Sequence, residues 1–304
     1  MIRFAAVLVL LLNFTGRLGA ANPRLIGYLP EYRLDGFRSS QLHGVTDLIF
    51  FSVILPADGR IPERLIAPSH LARLKELRKG FNGNVLLTVG GWERSAGFGR
   101  ITATRSSRYK LIRRLAELCR KHRFNGVDYD WEHPKGVAEL SRYAALVRET
   151  KVAFNPFGGL VTVAQAGWQD LGKELYNHAD RIHLMAYDHV FPQATFDKSR
   201  ADVERVIGLG CPPEKIALGV PFYGRNRKGS ARTFAELNSG ARARESKDLI
   251  DGFALNGTDT MQRKIAYARE RGLAGLMIWE LGQDAVNASA LLPGIVREMS
   301  KRQR

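Results

Sequence analysis

Cysteine is almost missing from this chain, with only Cys119 and Cys211 among 304 residues. That excludes a fold stapled by a disulfide framework. An oxidising compartment would permit one bridge, but the strand assignment below sets the two on distant sides of the fold. Both are expected to be small buried thiols. Long hydrophobic runs are missing too. The longest, Phe4 to Leu12, falls well short of the ~20 apolar residues a bilayer helix needs, so no stable membrane insertion is expected. Acidic residues are scarce beside basic ones, 30 against 46, for a formal net charge of +16. No linker or low-complexity tract interrupts residues 22 to 300, and one domain of that length is ordinary for an α/β barrel.

What the chain does have begins at its N-terminus. "MIRFAAVLVLLLNFTGRLGAAN" carries an early Arg3, the apolar run, and small residues that include Gly19 and Ala21. This is the pattern of a secretory signal peptide over residues 1–21; the alternative is an uncleaved membrane anchor. On the first reading the mature chain, residues 22–304, is secreted to the extracellular or periplasmic space. Excess Lys and Arg suit nucleic acid, anionic lipid or acidic wall polymers. Here they are spread along helical stretches such as "SSRYKLIRRLAELCRKHRF", where Leu111, Ile112, Leu115, Leu118 and Cys119 mark an apolar face. A solvated helix face is the simpler account. The sequence carries no DNA- or RNA-binding motif, so nucleic acid is not an expected partner. The closing "KRQR" reads as a frayed, charged end.

Eight short apolar runs rich in β-branched residues recur, at 24–29, 47–53, 84–90, 126–131, 159–165, 181–187, 215–221 and 272–279. Helical spacing of apolar residues fills 69–79, 107–122, 136–152, 198–209 and 258–271. Alternating strands and helices, with near-continuous apolar strands, predict a parallel sheet covered by helices. Eight such units predict an α/β fold of one kind, a single (β/α)₈ TIM barrel with at most a short insertion before the last strand. Polar, aromatic and glycine residues gather where these strands end: Tyr28 and Glu31, Gly90-Gly91-Trp92, Glu132, Gln165, Tyr187-Asp188, Tyr223, and Trp279-Glu280. Barrel enzymes place their chemistry at that rim. The longest connection, 224–259, reads equally as a small insertion, a substrate-facing flap or surface elaboration.

The stretch "GVDYDWEHP", 126 to 134, is the sharpest signal. Side chains alternate along a strand, so Asp128, Asp130 and Glu132 share one face while Tyr129 and Trp131 share the other. The aromatic face packs on helices, which leaves the acids inside the barrel with Glu132 last, at the rim. Neighbouring carboxylates in a water-poor lumen raise one another's pKa and share protons. A carboxyl kept protonated near neutrality is what a general acid requires. Glu132 is therefore the candidate donor and Asp130 its partner, with Asp128 able to take the proton from Asp130. A solvated edge or a metal site that includes His133 is the competing account. His133 should point away from Glu132, and no second ligand cluster is evident, so no metal and no cofactor are expected.

"FNGVDYDWEHP" resembles the Asp-Gly-x-Asp-x-Asp-x-Glu signature of glycoside hydrolase family 18, the chitinase family. "LIGYLPEYR" is similar to that family's first strand, "LLTVGGW" to its third, "LMAYDH" to its Met-x-Tyr-Asp sixth and "GLMIWELGQD" to its last. The resemblance covers roughly residues 24 to 284, in order. It implies a mechanism that departs from the usual two-carboxylate scheme, because the substrate's own acetamido group attacks. Glu132 would then protonate the glycosidic oxygen and later activate water, and Asp130 would hold the acetamido N–H. Tyr187 would hold the acetamido oxygen, and Trp279 would floor the central sugar subsite. The resemblance places Tyr28, Asp188 and Trp92 on walls or neighbouring subsites. Met185 joins the substrate-binding set, although by itself it reads as packing, as does Gln165.

Two positions depart from the family pattern: Asn125 replaces the first acid of the signature, and Thr88 stands where serine is frequent. The connection before the last strand looks too short to wall the cleft, which predicts an open, shallow groove. The expected substrate is a polysaccharide or oligosaccharide of β-1,4-linked N-acetylglucosamine, most simply chitin. An endo-β-N-acetylglucosaminidase on N-glycans and a peptidoglycan-directed glucosaminidase share the mechanism; a chitin-binding lectin is the non-enzymatic alternative. A monomer is expected. "NGT" at 256 and "NAS" at 287 fit the glycosylation pattern.

Overall fold

The computed structural model describes residues 23–239 and 247–301. The expected signal peptide and the last three residues of the "KRQR" end lie outside the described residues. Eight parallel strands close a barrel in the order β1-β12-β7-β6-β5-β4-β3-β2. They are β1 (Arg24–Pro30), β2 (Asp47–Val53), β3 (Asn84–Gly90), β4 (Gly126–Asp130), β5 (Leu160–Ala166), β6 (Arg181–Met185), β7 (Ile216–Pro221) and β12 (Gly275–Trp279). Each lies within a few residues of its predicted run. The helices around them include α1 (Pro68–Leu77), α2 (Phe98–Thr102), α3 (Arg105–His122), α4 (Gly136–Phe154), α5 (Lys173–His178), α6 (Phe196–Gly208), α8 (Thr258–Glu270) and α9 (Leu291–Ser300). The five predicted helices correspond to α1, α3, α4, α6 and α8. The short α2 and α5 and the final α9 were not anticipated from spacing.

The core has two layers. Between strands and helices lies the larger one, which includes Val127, Tyr129 and Trp131 of the β4 segment. Trp131 stacks on Phe98 of α2, with centroids 4.9 Å apart and planes 9° apart, and Tyr129 is fully buried. Both aromatics therefore occupy the outward face, as the alternation predicts. The smaller layer fills the lumen with Ile26, Tyr28, Ile49, Phe51, Leu86, Ala217 and Met277. At the base of the lumen Asp47 pairs with Arg181 at 2.8 Å and accepts from Asn84 at 2.8 Å. Cys119 and Cys211 are free and buried.

Register sets Thr88 of β3 and Thr162 of β5 on either side of Asp128. Where β3 ends, Gly90 has φ 97°, and a Cβ there would lie 2.3 Å from the Asp130 carbonyl oxygen. Glycine is required for that approach, which brings the "GGW" turn against the end of β4. The open question over 224–259 is answered by a small antiparallel sheet ordered β10-β11-β8-β9. Its strands are β8 (Tyr223–Arg225), β9 (Ala231–Thr233), β10 (Leu249–Ile250) and β11 (Phe253–Ala254), with α7 (Phe234–Leu237) between β9 and β10. The "NGT" reading needs correction: Asn256 is 1% exposed, and its amide nitrogen donates to Ala194 O at 2.8 Å. A glycan cannot attach to a buried, hydrogen-bonded amide. Among the described residues no helix is long and apolar enough to cross a membrane.

Candidate active site

A cavity of about 940 Å³ opens at the C-terminal rim of the barrel. Asp130, Glu132, Tyr187, Trp279, Met185, Asp188, Trp92 and Tyr28 all line it. Asp128 lies beneath, fully buried. Its Oδ1 accepts from Thr162 Oγ1 at 2.6 Å, and its Oδ2 from Tyr28 OH at 2.7 Å and Thr88 Oγ1 at 3.2 Å. The His183 ring sits 3.2 Å from Asp128 and 2.8 Å from the Tyr28 hydroxyl. Burial by itself would push the Asp128 carboxyl up. The His183 ring and the hydroxyl donors outweigh it and hold the group below the usual carboxylate range.

Asp130, one pleat higher, differs. It is 3% exposed, and its Oδ1 has no hydrogen-bond partner among the described residues. Burial first, then the charges of Glu132 and Asp128, push its carboxyl well above the ordinary value. Glu132 at the lip is raised to about 7 by burial and by Asp188, against the opposing pull of the Trp92 amide. Asp128 is thus the weaker base of the two aspartates. Ser95 holds the backbone here: its Oγ accepts from the Glu132 amide at 3.1 Å and lies 2.9 Å from the Asp130 carbonyl.

Tyr187 is half-buried beside these acids, and among the described residues its hydroxyl reaches only the Met277 sulfur, at 4.0 Å. Trp279 is braced edge-on by Phe51, 4.8 Å between centroids, and by Tyr28 at 5.6 Å. It presents a fixed aromatic face to the cavity, the surface on which a sugar ring packs. The stretch of chain that builds this barrel and its rim matches a known protein family. The glycosyl hydrolases family 18 profile matches residues 24–284.

The chain belongs to this family.

A probable chitinase 2 of Drosophila melanogaster is 28% identical over 219 residues, 63% of this chain and 41% of that protein. A probable endochitinase of Caenorhabditis elegans is 27% identical over 272 residues, 67% of this chain and 44% of that protein. The chain thus spans less than half the length of these two relatives. Among solved structures, the chitinase ChiB from the chitin utilization locus of Flavobacterium johnsoniae superposes with a TM-score of 0.81 at 25% identity. That match covers 92% of this chain and 94% of the other.

Three features of this family 18 site depart from the reading of the sequence. Tyr28, expected on a wall or neighbouring subsite, lines the cavity but is only 1% exposed, and its hydroxyl is committed to Asp128. His133, expected to turn from Glu132, brings Nε2 to 3.6 Å from Glu132 Oε2, because β4 ends at Asp130 and the strict alternation ends with it. The groove is walled further than expected: Arg225, Asn226, Arg227 and Gly229 of the inserted sheet line it. Asp188 accepts from Tyr223 OH at 2.7 Å and from Arg225, and its amide donates to Gln193 Oε1 at 3.2 Å. Gln193 in turn donates to Tyr223 O and Ala254 O, which ties the β6 loop to the insertion.

Other rim residues are structural. Glu31 takes two bonds from Arg94, at 2.7 and 3.0 Å. Glu280 accepts from Arg33 at 2.9 Å and from the Gly282 amide at 2.8 Å. Gln165 donates to Gln169 O and Tyr176 OH. The sequence reading did not single out Trp168, 64% exposed on the cavity wall, or the His189–Asp202 pair at 2.8 Å. The Gly-Trp step after β5 was a legible signal for Trp168. Nothing local announces a pair 13 residues apart. Among the described residues no group of His, Cys, Asp and Glu is arranged to hold a metal ion.

Proposed function

We propose that this chain is a glycosidase that cleaves β-1,4-linked N-acetylglucosamine polymers, chitin or chito-oligosaccharides, with retention of configuration. The observation that carries the reading is the state of the acid column: Glu132 at the lip is raised to about 7, directly above an Asp130 with a bare oxygen. A group so placed keeps its proton near neutrality and can deliver it. Glu132 gives that proton to the glycosidic oxygen as the C1–O bond breaks and its electron pair leaves with the departing sugar. The substrate's acetamido oxygen forms the new bond to C1. Asp130 Oδ1 accepts from the acetamido N–H and steadies the positive charge. The Tyr187 hydroxyl, which has no oxygen or nitrogen partner among the described residues, donates to the acetamido oxygen and holds it in line. Glu132, now a carboxylate, takes a proton from water as that water attacks C1 and the ring reopens.

The names of the two animal relatives and of the Flavobacterium enzyme support chitin as the polymer. A net charge of +16 and the exposed Arg227 on the cavity wall favour, as second reading, an acidic wall glycan such as peptidoglycan. A lectin role sits poorly with an intact Glu132, Asp130 and Tyr187. Export follows from reading residues 1–21 as a signal peptide, and the N-terminus of the secreted chain would then be Asn22.

The test incubates purified protein and its Glu132→Gln variant with N-acetylglucosamine oligomers, an N-glycan and peptidoglycan, and reads products by mass spectrometry. Cleavage by the wild type alone supports the assignment, and the substrate consumed names the polymer. Turnover retained by Glu132→Gln would remove Glu132 from the role. Binding without cleavage by the wild type would turn the reading to a lectin.

A further inference from the structure

From beyond the strand His133 meets the Glu132 carboxyl, with Nε2 3.6 Å from Oε2. At that separation the two atoms are not hydrogen-bonded, yet they are within ion-pair reach, and contacts of this kind tighten when substrate fills an empty site. The ring cannot easily turn elsewhere. It stands edge-on to Trp168, with centroids 4.9 Å apart and planes at 68°, and its Nδ1 is buried with no hydrogen-bond partner among the described residues. An orphaned acceptor costs less than an orphaned N–H donor. Gln169 beside the ring favours its protonated form, and the neutral ring is assigned its hydrogen on Nε2, the nitrogen that faces Glu132.

We propose that His133 is a positioning residue for Glu132: its Nε2–H steadies the carboxylate left after proton delivery. The inference rests on Glu132 acting as the acid and deepens that assignment. Burial pushes the ring's own pKa below its ordinary value, against the side chain of Gln169, so the neutral ring dominates near neutrality and the imidazolium only in acid. The charged and titratable groups that share the site are Tyr28 from β1, Asp130 from β4, Tyr187 and Asp188 beyond β6 with Arg225 of β8 bound to Asp188, Arg227 just after β8, and the His189–Asp202 pair. Asp188 pushes the Glu132 carboxyl up and the Trp92 amide pulls it down; His133 adds a second donor, on a side chain.

The test compares wild type with His133→Phe and His133→Asn, by the pH profile of kcat/KM and by ¹³C NMR titration of the Glu132 carboxyl. His133→Phe should move the Glu132 titration and the basic limb upward by roughly 0.5 to 1 pH unit, the scale of one lost hydrogen bond to a charged group. His133→Asn, which keeps an N–H donor, should bring the basic limb back. A Glu132 titration unchanged in His133→Phe, with kcat/KM lowered evenly at every pH, would overturn the proposal and leave a packing or sugar contact. Failure of Asn to restore the basic limb would overturn it as well. The NMR arm needs no turnover: a shifted titration in a protein that cleaves none of the sugars would keep the coupling and discard the substrate.

Discussion

Asp128 and Asp130 are the same residue type on the same face of β4, two positions apart, and they are held in opposite states. Asp128 collects hydroxyl donors from Tyr28, Thr88 and Thr162 beside the His183 ring, and its pKa falls despite complete burial. Asp130 has an oxygen with no partner among the described residues and two acidic neighbours, and its pKa rises well above the ordinary value. Burial is common to both, so burial does not decide the charge; donors do. The lower aspartate anchors the lumen. The upper one carries the unmet hydrogen-bonding capacity that a substrate can satisfy, a cost to the empty protein that binding relieves.

The contrast can be broken by substitution, and the largest effect is expected at its upper member. Asp130→Asn should lower kcat by roughly 10²- to 10³-fold, the usual loss when a preorganised group facing transition-state charge is removed, measured on N-acetylglucosamine oligomers. Its stability should move the other way. A raised folded pKa contributes stability that is present below the unfolded value and lost as pH rises through the folded one. Asn never ionises, so the variant should unfold at a higher temperature than wild type at pH 8, with the gap closing toward pH 4. Asp128→Asn should instead destabilise at neutral pH by about 1–3 kcal/mol, the scale of leaving buried donors unmet, read by urea denaturation. Its wild-type contribution, from a depressed pKa, is present above the ordinary carboxylate value and lost as pH falls through the folded one.

Smaller changes sharpen the comparison without erasing it. Tyr28→Phe takes one donor from Asp128 and should raise that carboxyl's pKa. It should lower kcat about 10-fold, the equivalent of one net hydrogen bond, with KM nearly unchanged because Trp279 is still braced by Phe51. Thr88→Val removes the longest contact, at 3.2 Å, and should cost no more than about 1 kcal/mol of stability, with turnover close to wild type. A Tyr28→Phe variant as impaired as Asp130→Asn would show that the two aspartates do not divide the work in this way.

Much of this was legible because it is local. The run "NVLLTVG" forms a strand at the same residues and "KIALGVP" one that starts a residue later, since near-continuous apolar segments have few other ways to be buried. The alternation that put Asp128 and Asp130 inside, and Tyr129 outside, is a property of any extended chain. The reading failed where the chain leaves the strand. His133 turns toward Glu132 once β4 has ended. Arg225, remote in sequence, reaches Asp188 across 37 positions. Asn256 reads as a glycosylation acceptor and is buried under the β6 loop. Each depends on which loops meet over the rim, and loop encounters have no period to read.

By itself the sequence determined the barrel, its direction and the acids that face its lumen, because hydrophobic periodicity and side-chain alternation act within a few residues. Only the tertiary structure decided which of those acids is ionised. That choice depends on hydroxyls and a ring carried by β1, β3, β5 and β6, brought within about 3 Å of one carboxylate and of no other when the barrel closes.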